Sequence, residues 1–126
     1  MIRIYQKLID ICRKEFSDIV RQTRLIRSGS IGSTKLRILL REGSYIDVWF
    51  SATGKYSYHW ERRIKTGEIF RHDNAPDFPK FRTSPKHFHD GMEQNVKESF
   101  LSDKPEEALR EFLNFARGKH IKDEQS

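Results

Sequence analysis

Residues suited to acid–base chemistry on a phosphodiester are concentrated in one stretch of the chain, residues 56–89. This stretch holds four of the five histidines, three of the four prolines and an Arg-His-Asp-Asn run. Histidine titrates near neutrality and serves as a general base or acid, and the planar arginine fork matches phosphate oxygens. A carboxylate beside a histidine orients its ring and stabilises its charge. Together these residue types favour metal-independent cleavage of RNA.

We predict that one site brings these side chains together. The candidate catalytic residues are His59, Arg71, Asp73, His87 and His89. In this hypothesis His59 or His87 acts as base or acid, Arg71 stabilises charge on the phosphate, and Asp73 orients a histidine. His72 alternates with them along its strand, so we expect it to pack inward as a structural residue.

A metal site is the competing interpretation of the same histidines. His87 and His89, with His59 and Asp73, offer ligand types suited to zinc or another transition metal. A two-residue histidine spacing is common by chance, so we expect neither metal nor cofactor. The chain also lacks a phosphate-binding glycine loop followed by Lys-Ser/Thr.

The elements that must position these residues follow from hydrophobic periodicity. Alternation of period two predicts an antiparallel sheet of four strands over residues 34–74, with a possible fifth just before it. Helical spacing predicts helices over residues 1–22 and 103–118. The segment 75–90 is expected to be a histidine- and proline-rich loop, 119–126 a tail, and a weak helical pattern begins near Gly91. The chain is thus predicted to be one α+β domain, residues 1–126.

The predicted sheet has two unlike faces. Its apolar face should be covered by both helices, while the open face is polar, basic and aromatic. Such an open face is a common surface for single-stranded nucleic acid. The candidate RNA-binding residues are Arg37, Arg41, Trp49, Arg62, Arg63, Asn74 and Lys86.

Charge supports a polyanionic partner. The net charge is +6, and the first 65 residues hold 14 of the 24 lysines and arginines but only 6 of the 18 acidic residues. A basic half of this kind suits RNA, DNA or an acidic protein, although a solvated basic surface has the same composition. No apolar run is long enough to span a membrane and no signal-peptide block begins the chain, so we expect a cytoplasmic protein.

Three short motifs resemble the TumE family, the toxin half of a prokaryotic toxin–antitoxin pair. They are YSYHW (56–60), RHDNAP (71–76) and PKHFH (85–89). The chain departs from the family pattern where His72 replaces tryptophan, where Asp77 and Phe78 replace two histidines, and where Lys86 replaces a histidine. The resemblance implies an RNA-cleaving toxin, a cognate antitoxin protein as partner, and a helix–sheet–helix layout similar to compact RelE and barnase-like ribonucleases.

Two other interpretations remain open at this point. The same face could belong to a non-catalytic nucleic-acid-binding or protein-interaction module, or the chain could be a structural component of a larger assembly. The first predicts RNA binding without cleavage, and the second predicts no RNA affinity at low salt.

Overall fold

Consecutive antiparallel strands form one sheet, with a helix at each end of the chain. The computed structural model describes residues 2–29 and 33–125, and within them the sheet has seven strands in the order β1 to β7. The elements are α1 (Ile2–Glu15), β1 (Val20–Ser28), β2 (Ser33–Leu40), β3 (Tyr45–Phe50), β4 (Tyr56–Arg62), α2 (Arg63–Thr66), β5 (Glu68–Asp73), β6 (His87–Gly91), β7 (Val96–Glu98) and α3 (Pro105–Gln125).

Helices α1 and α3 cover one face of this sheet. Alternate residues of β2, β3 and β4 are buried, as period-two alternation requires when one face meets a core. Tyr5 of α1 joins the layers, because its hydroxyl donates to the Thr34 carbonyl at 2.8 Å and accepts from the Phe50 amide at 3.1 Å. Trp60 is fully buried, and its indole N–H donates to Ser44 Oγ at 2.8 Å. Burying a side chain of this size contributes roughly 3 kcal/mol.

The β4–β5 connection sets the register of the central strands. The short helix α2 ends at Gly67, whose φ of 82° lies in the left-handed region that glycine adopts without strain. The chain therefore returns so that His59 lies directly opposite Arg71 and Ser57 opposite Asp73. Ser57, His59, Arg71 and Asp73 therefore share the face that the helices leave open.

Several predicted boundaries are wrong, including the strand count. Helix α1 ends at Glu15 rather than near residue 22. The amides of Ile19 and Val20 donate to the Phe16 carbonyl in a turn, and these two β-branched residues lead into β1. Phe16 and Ile19 are still buried, so apolar spacing continued beyond the helix itself. The predicted loop 75–90 ends in strand β6, and the weak helical pattern after Gly91 forms a turn and strand β7.

Helix α3 is longer than predicted at its C-terminal end. It continues through Gly118 to Gln125, where a tail was expected. Arg62 of β4 forms an ion pair with Asp123 at 2.8 Å, and the His120 ring lies 5.7 Å from the Trp60 ring. These contacts hold the last turns against the sheet.

His72 packs inward, as strand alternation predicted. Its ring stacks on Phe88 with centroids 4.1 Å apart, and Nδ1 lies 2.7 Å from Ser99 Oγ. Burial lowers the pKa of His72 to about 4. The ring is therefore neutral in the folded protein at neutral pH.

We expect His72→Phe to flatten the acid limb of the stability curve. A native pKa below the unfolded value of 6.5 gives stability that is present above that pH and is lost as pH falls towards 4. From this shift, the wild type should lose about 2–3 kcal/mol more than the variant over that interval. Urea unfolding at graded pH measures the difference. Identical pH dependence of the two proteins would contradict a neutral buried His72.

Candidate active site on the open sheet face

The strand register aligns five polar residues in one row across the open face. From β2 to β6 the directly paired residues are Arg37, Asp47, His59, Arg71 and His89. Neighbouring side chains of such a row lie about 5 Å apart at their Cβ atoms, which permits direct contact. The row therefore places charged and titratable groups in a continuous chain.

Asp73, in the adjacent row, is the most highly connected carboxylate of the site. Its Oδ1 accepts from the Ala75 amide at 2.9 Å and lies 3.0 Å from His87 Nε2. Its Oδ2 accepts from Arg71 Nε at 3.1 Å and lies 3.9 Å from His89 Nε2. Of the five predicted catalytic residues, three (Arg71, His87 and His89) thus surround the carboxylate of a fourth, Asp73.

Arg71 joins this carboxylate to His59. Its guanidinium donates two parallel hydrogen bonds to Glu93, at 2.8 and 2.7 Å, and Nη1 lies 3.3 Å from His59 Nδ1. The bonds to Glu93 contribute most to raising the pKa of Arg71, and the same contacts lower the pKa of Glu93. Sequence reasoning missed Glu93, because residues 92–100 carried a weak helical pattern and no signal placed them beside β5.

His59 has a defined tautomer. Arginine nitrogens only donate, so Nδ1 facing Arg71 carries the lone pair, and Nε2–H donates to Glu61 Oε1 at 3.1 Å. Desolvation lowers the pKa of His59, although the bond to Glu61 opposes the shift. The neutral ring has 17% of its side-chain surface exposed. Glu61 orients this histidine, whereas Asp73, the predicted orienting carboxylate, contacts His87 and His89.

His87 and His89 are buried on the same face. Their side chains are 1% and 9% exposed. The Phe78 ring lies 4.7 Å from the His87 ring and stacks on Phe81, so the segment between β5 and β6 folds over both histidines. The structure brings these residues to the site as predicted, but at a depth that a polynucleotide does not reach.

The predicted RNA-binding residues lie in different environments. Arg37 and Trp49 belong to the open face, where Arg37 forms two bonds to Asp47, at 2.8 and 2.9 Å. Arg63 is exposed and also paired, with Glu61. This pairing is the largest cause of the lowered Glu61 pKa, about 2. Arg41 lies at the β2–β3 turn, where Nε donates to the Ser17 carbonyl.

The remaining three candidates serve the framework. Asn74 closes a turn through its side-chain amide. Its Oδ1 accepts from the Tyr56 backbone N–H, and its Nδ2 donates to the Gly54 carbonyl. Lys86 binds the Leu101 carbonyl and Asp103. Arg62 is the clearest correction, because it lies on the helix-covered side with only 2% of its side chain exposed, paired with Asp123. Two consecutive polar residues, Glu61 and Arg62, end β4, and alternation turns the second of them inward.

A cavity of about 230 Å³ lies beside the site. It is lined by Trp49 and Arg71 together with residues of the turn that follows Asp73. A larger cavity of about 530 Å³ lies elsewhere, among charged residues of α3 and the β2–β3 turn. We favour the smaller cavity as the functional one, since only it adjoins the Asp73 and Arg71 contacts.

These features define a small α+β protein. Helices cover one face of its sheet, and the other face carries the buried His87 and His89 and the partly exposed His59. A model of the family described as toxin TumE matches residues 6–120, nearly the whole chain. The chain belongs to the TumE family of toxins, which confirms the resemblance seen in residues 56–89. No match was found among curated proteins or among solved structures. No helix within residues 2–29 and 33–125 is long and apolar enough to cross a membrane.

Truncation of the neighbouring residues Arg62 and Arg63 should lower the free energy of unfolding by unequal amounts. Arg62→Ala should destabilise the protein by roughly 2–3 kcal/mol, because it leaves the Glu42, Glu68 and Asp123 carboxylates without their shared cation. Arg63→Ala should change the free energy of unfolding much less, because an exposed ion pair contributes little to stability. Urea unfolding of both variants is the measurement. Equal losses would show that Arg62 is not the buried partner of this cluster.

Proposed function

We propose that this toxin-family protein is an endoribonuclease whose own side chains carry the cleavage step. The observation that supports it most is the placement of His59, neutral and partly exposed, between a carboxylate that orients it and an arginine suited to phosphate. In this proposal the protein acts on RNA in a prokaryotic cytoplasm and is neutralised by a cognate antitoxin protein. We further propose, by analogy of layout alone, that the sheet with flanking helices resembles compact ribonucleases of the RelE and barnase-like type.

His59 is the proposed general base. Glu61 accepts a hydrogen bond from His59 Nε2–H. The Nδ1 lone pair is therefore the one that takes the proton from the ribose 2′-hydroxyl. The 2′-oxygen then attacks the phosphorus, forming a 2′,3′-cyclic phosphate, and the 5′-oxygen leaves with a proton from solvent. RNA supplies its own nucleophile, so this step requires no metal-bound water.

Arg71 is the proposed electrophilic group. Its bidentate pairing with Glu93 has the geometry in which arginine holds a phosphate. The Glu93 side chain is 46% exposed, so an incoming phosphodiester replaces a solvent-accessible carboxylate. The same replacement frees His59 Nδ1 from its 3.3 Å contact with Arg71. Asp73 keeps its bond to Nε and holds the arginine in place.

The groove beside these residues suits a nucleobase. Trp49 lines the cavity of about 230 Å³ together with Arg71, and base–aromatic stacking contributes about 1–3 kcal/mol per base. Arg37 and Arg24 extend the cationic surface along the same row towards β1. His87 and His89 are positioning residues in this scheme, since both face Asp73 from below the surface.

A non-catalytic RNA-binding toxin is the second candidate. It is favoured by the ion pairs of Arg37, Arg63 and Arg71, which leave each guanidinium bound to a carboxylate in the free protein. This candidate predicts the same RNA affinity without cleavage. Purified protein and radiolabelled RNA therefore separate the two.

RNA binding should weaken steeply with salt. For single-stranded RNA, each neutralised phosphate contributes about 0.7 to the slope of log K against log salt. Arg37→Ala should reduce that slope by about this amount. Arg110→Ala is the matched control, because this arginine pairs with Glu15 on the helical side of the molecule. Binding that does not change between low and moderate salt would exclude a phosphate-contacting face.

Cleavage should depend on His59. His59→Ala should slow cleavage by about 10²–10⁴-fold while RNA binding and folding persist. Because burial lowers the pKa of His59 below 6.5, the rate should fall only at pH values below that, as the base becomes protonated. Glu61→Gln removes a contact that raises this pKa, so the acid limb should move to lower pH.

His120→Ala serves as the control, since His120 lies against Trp60 on the far side of the sheet. Chelator should leave the rate unchanged at temperatures where the protein remains folded. Cleavage by His59→Ala at the wild-type rate would exclude His59 as the base, and loss of cleavage in both histidine variants would indicate misfolding.

A further inference from the structure

Both buried histidines direct the same nitrogen at one carboxylate. His87 Nδ1 lies 3.2 Å from the Pro85 carbonyl oxygen, and His89 Nδ1 lies 2.9 Å from that of Glu93. A carbonyl only accepts, so each Nδ1 carries a proton, and Nε2 is the nitrogen that each ring turns towards Asp73. Backbone carbonyls orient metal-binding histidines in this way.

The two Nε2 atoms converge with an oxygen of the Asp73 carboxylate. One ligand atom each from Asp73, His87 and His89 lies within 4.8 Å of the other two. Around a tetrahedral ion with bonds of about 2.0–2.1 Å, ligand atoms are about 3.3 Å apart, so small side-chain rotations close the shell. His59 does not belong to this group, because Arg71 lies between it and Asp73.

The charge of the pocket also favours a cation. Arg71 divides its charge between Glu93, through two bonds, and Asp73, through Nε, so two carboxylates share one arginine here. His87 Nε2 and Asp73 Oδ1 are 3.0 Å apart, close to the separation of two ligands of one ion. A divalent ion between them takes the place of a proton, because metal ligands bind in their deprotonated form.

We propose that Asp73, His87 and His89 bind one Zn²⁺ ion. Two imidazole nitrogens and one carboxylate oxygen are a ligand set that zinc accepts, with a water as fourth ligand. The ion connects the end of β5 to β6 beneath Phe78, whose ring contacts that of His87 at a tilt of 58°. Its role is to fix the covering segment to the sheet, separate from the base at His59, so the proposal does not depend on RNA cleavage.

Metal content and binding test the site directly in untagged, full-length protein. Protein purified with zinc and then desalted should retain about one Zn²⁺ per chain by mass spectrometry. Co²⁺ added to the metal-free protein should give the visible absorption bands of a tetrahedral site, which Zn²⁺ then abolishes. Zn²⁺ should raise Tm in proportion to the logarithm of its free concentration, whereas Mg²⁺ should have no effect.

Variants identify the ligands. His89→Gln and Asp73→Asn should each weaken Zn²⁺ binding by more than about 100-fold, since loss of even an outer-shell partner costs about 10- to 100-fold. His59→Gln, on the same face, is the matched control and should bind Zn²⁺ like the wild type. If a ligand variant fails to fold, the Co²⁺ spectrum and the Zn²⁺-dependent Tm of the wild type still decide.

Three outcomes would overturn the proposal. They are wild-type protein without bound Zn²⁺ and without a Tm response, Zn²⁺ binding that survives in both ligand variants, and binding that is lost in His59→Gln alone. The first would show that His87 and Asp73 form a hydrogen-bonded ion pair instead. None of these readouts uses RNA, so failure here is distinct from failure of the proposed endoribonuclease activity.

Discussion

The Asp73 carboxylate is the constraint on which the site depends. It ends β5, caps the turn that follows through the Ala75 amide, and holds Arg71 through Nε. A carboxylate so enclosed is tolerated only where donors or cations surround it. Because His87 and His89 face it from β6, the same group also connects β5 to β6. The turn after β5 and the arrangement of the site therefore both depend on the contacts of Asp73.

The pleat of the sheet determines which side chains reach that carboxylate. On β4 and β5, Trp60 and Phe70 pair on the covered face while His59 and Arg71 pair on the open face. A slip of one residue would exchange the two sets, burying a guanidinium and exposing an indole. Burial of the aromatic core on one face thus determines the position of the polar row on the other face.

Much of this arrangement could be predicted from local patterns. Alternation identified strands β2 to β5 and their open face, and it placed His72 inside and Asp73 outside. It could not identify the contribution of Glu93, since pairing of β5 with β6 brings together residues that are separated by a loop and carry no shared periodicity. The end of α1 was missed because Phe16 and Ile19 kept apolar spacing through a turn. Arg62 was misplaced because charge suggested a surface residue, whereas alternation at the end of β4 directs it inward.

The open face is less basic than the net charge of +6 suggests. Asp47, Glu61 and Glu93 each bind an arginine of that face, so its guanidinium groups are already paired when no ligand is present. In the proposed function a phosphate binds by exchanging with a carboxylate, and the gain is the difference between two charge-assisted pairs rather than one whole pair. The exposed arginines of β1, Arg21, Arg24 and Arg27, carry no side-chain ion pair in the described residues, and in the same proposal they supply long-range attraction. The proposal thus assigns attraction and catalysis to different parts of one sheet: β1 attracts a polyanion, and a phosphate must displace the carboxylate paired with Arg71 before it binds there.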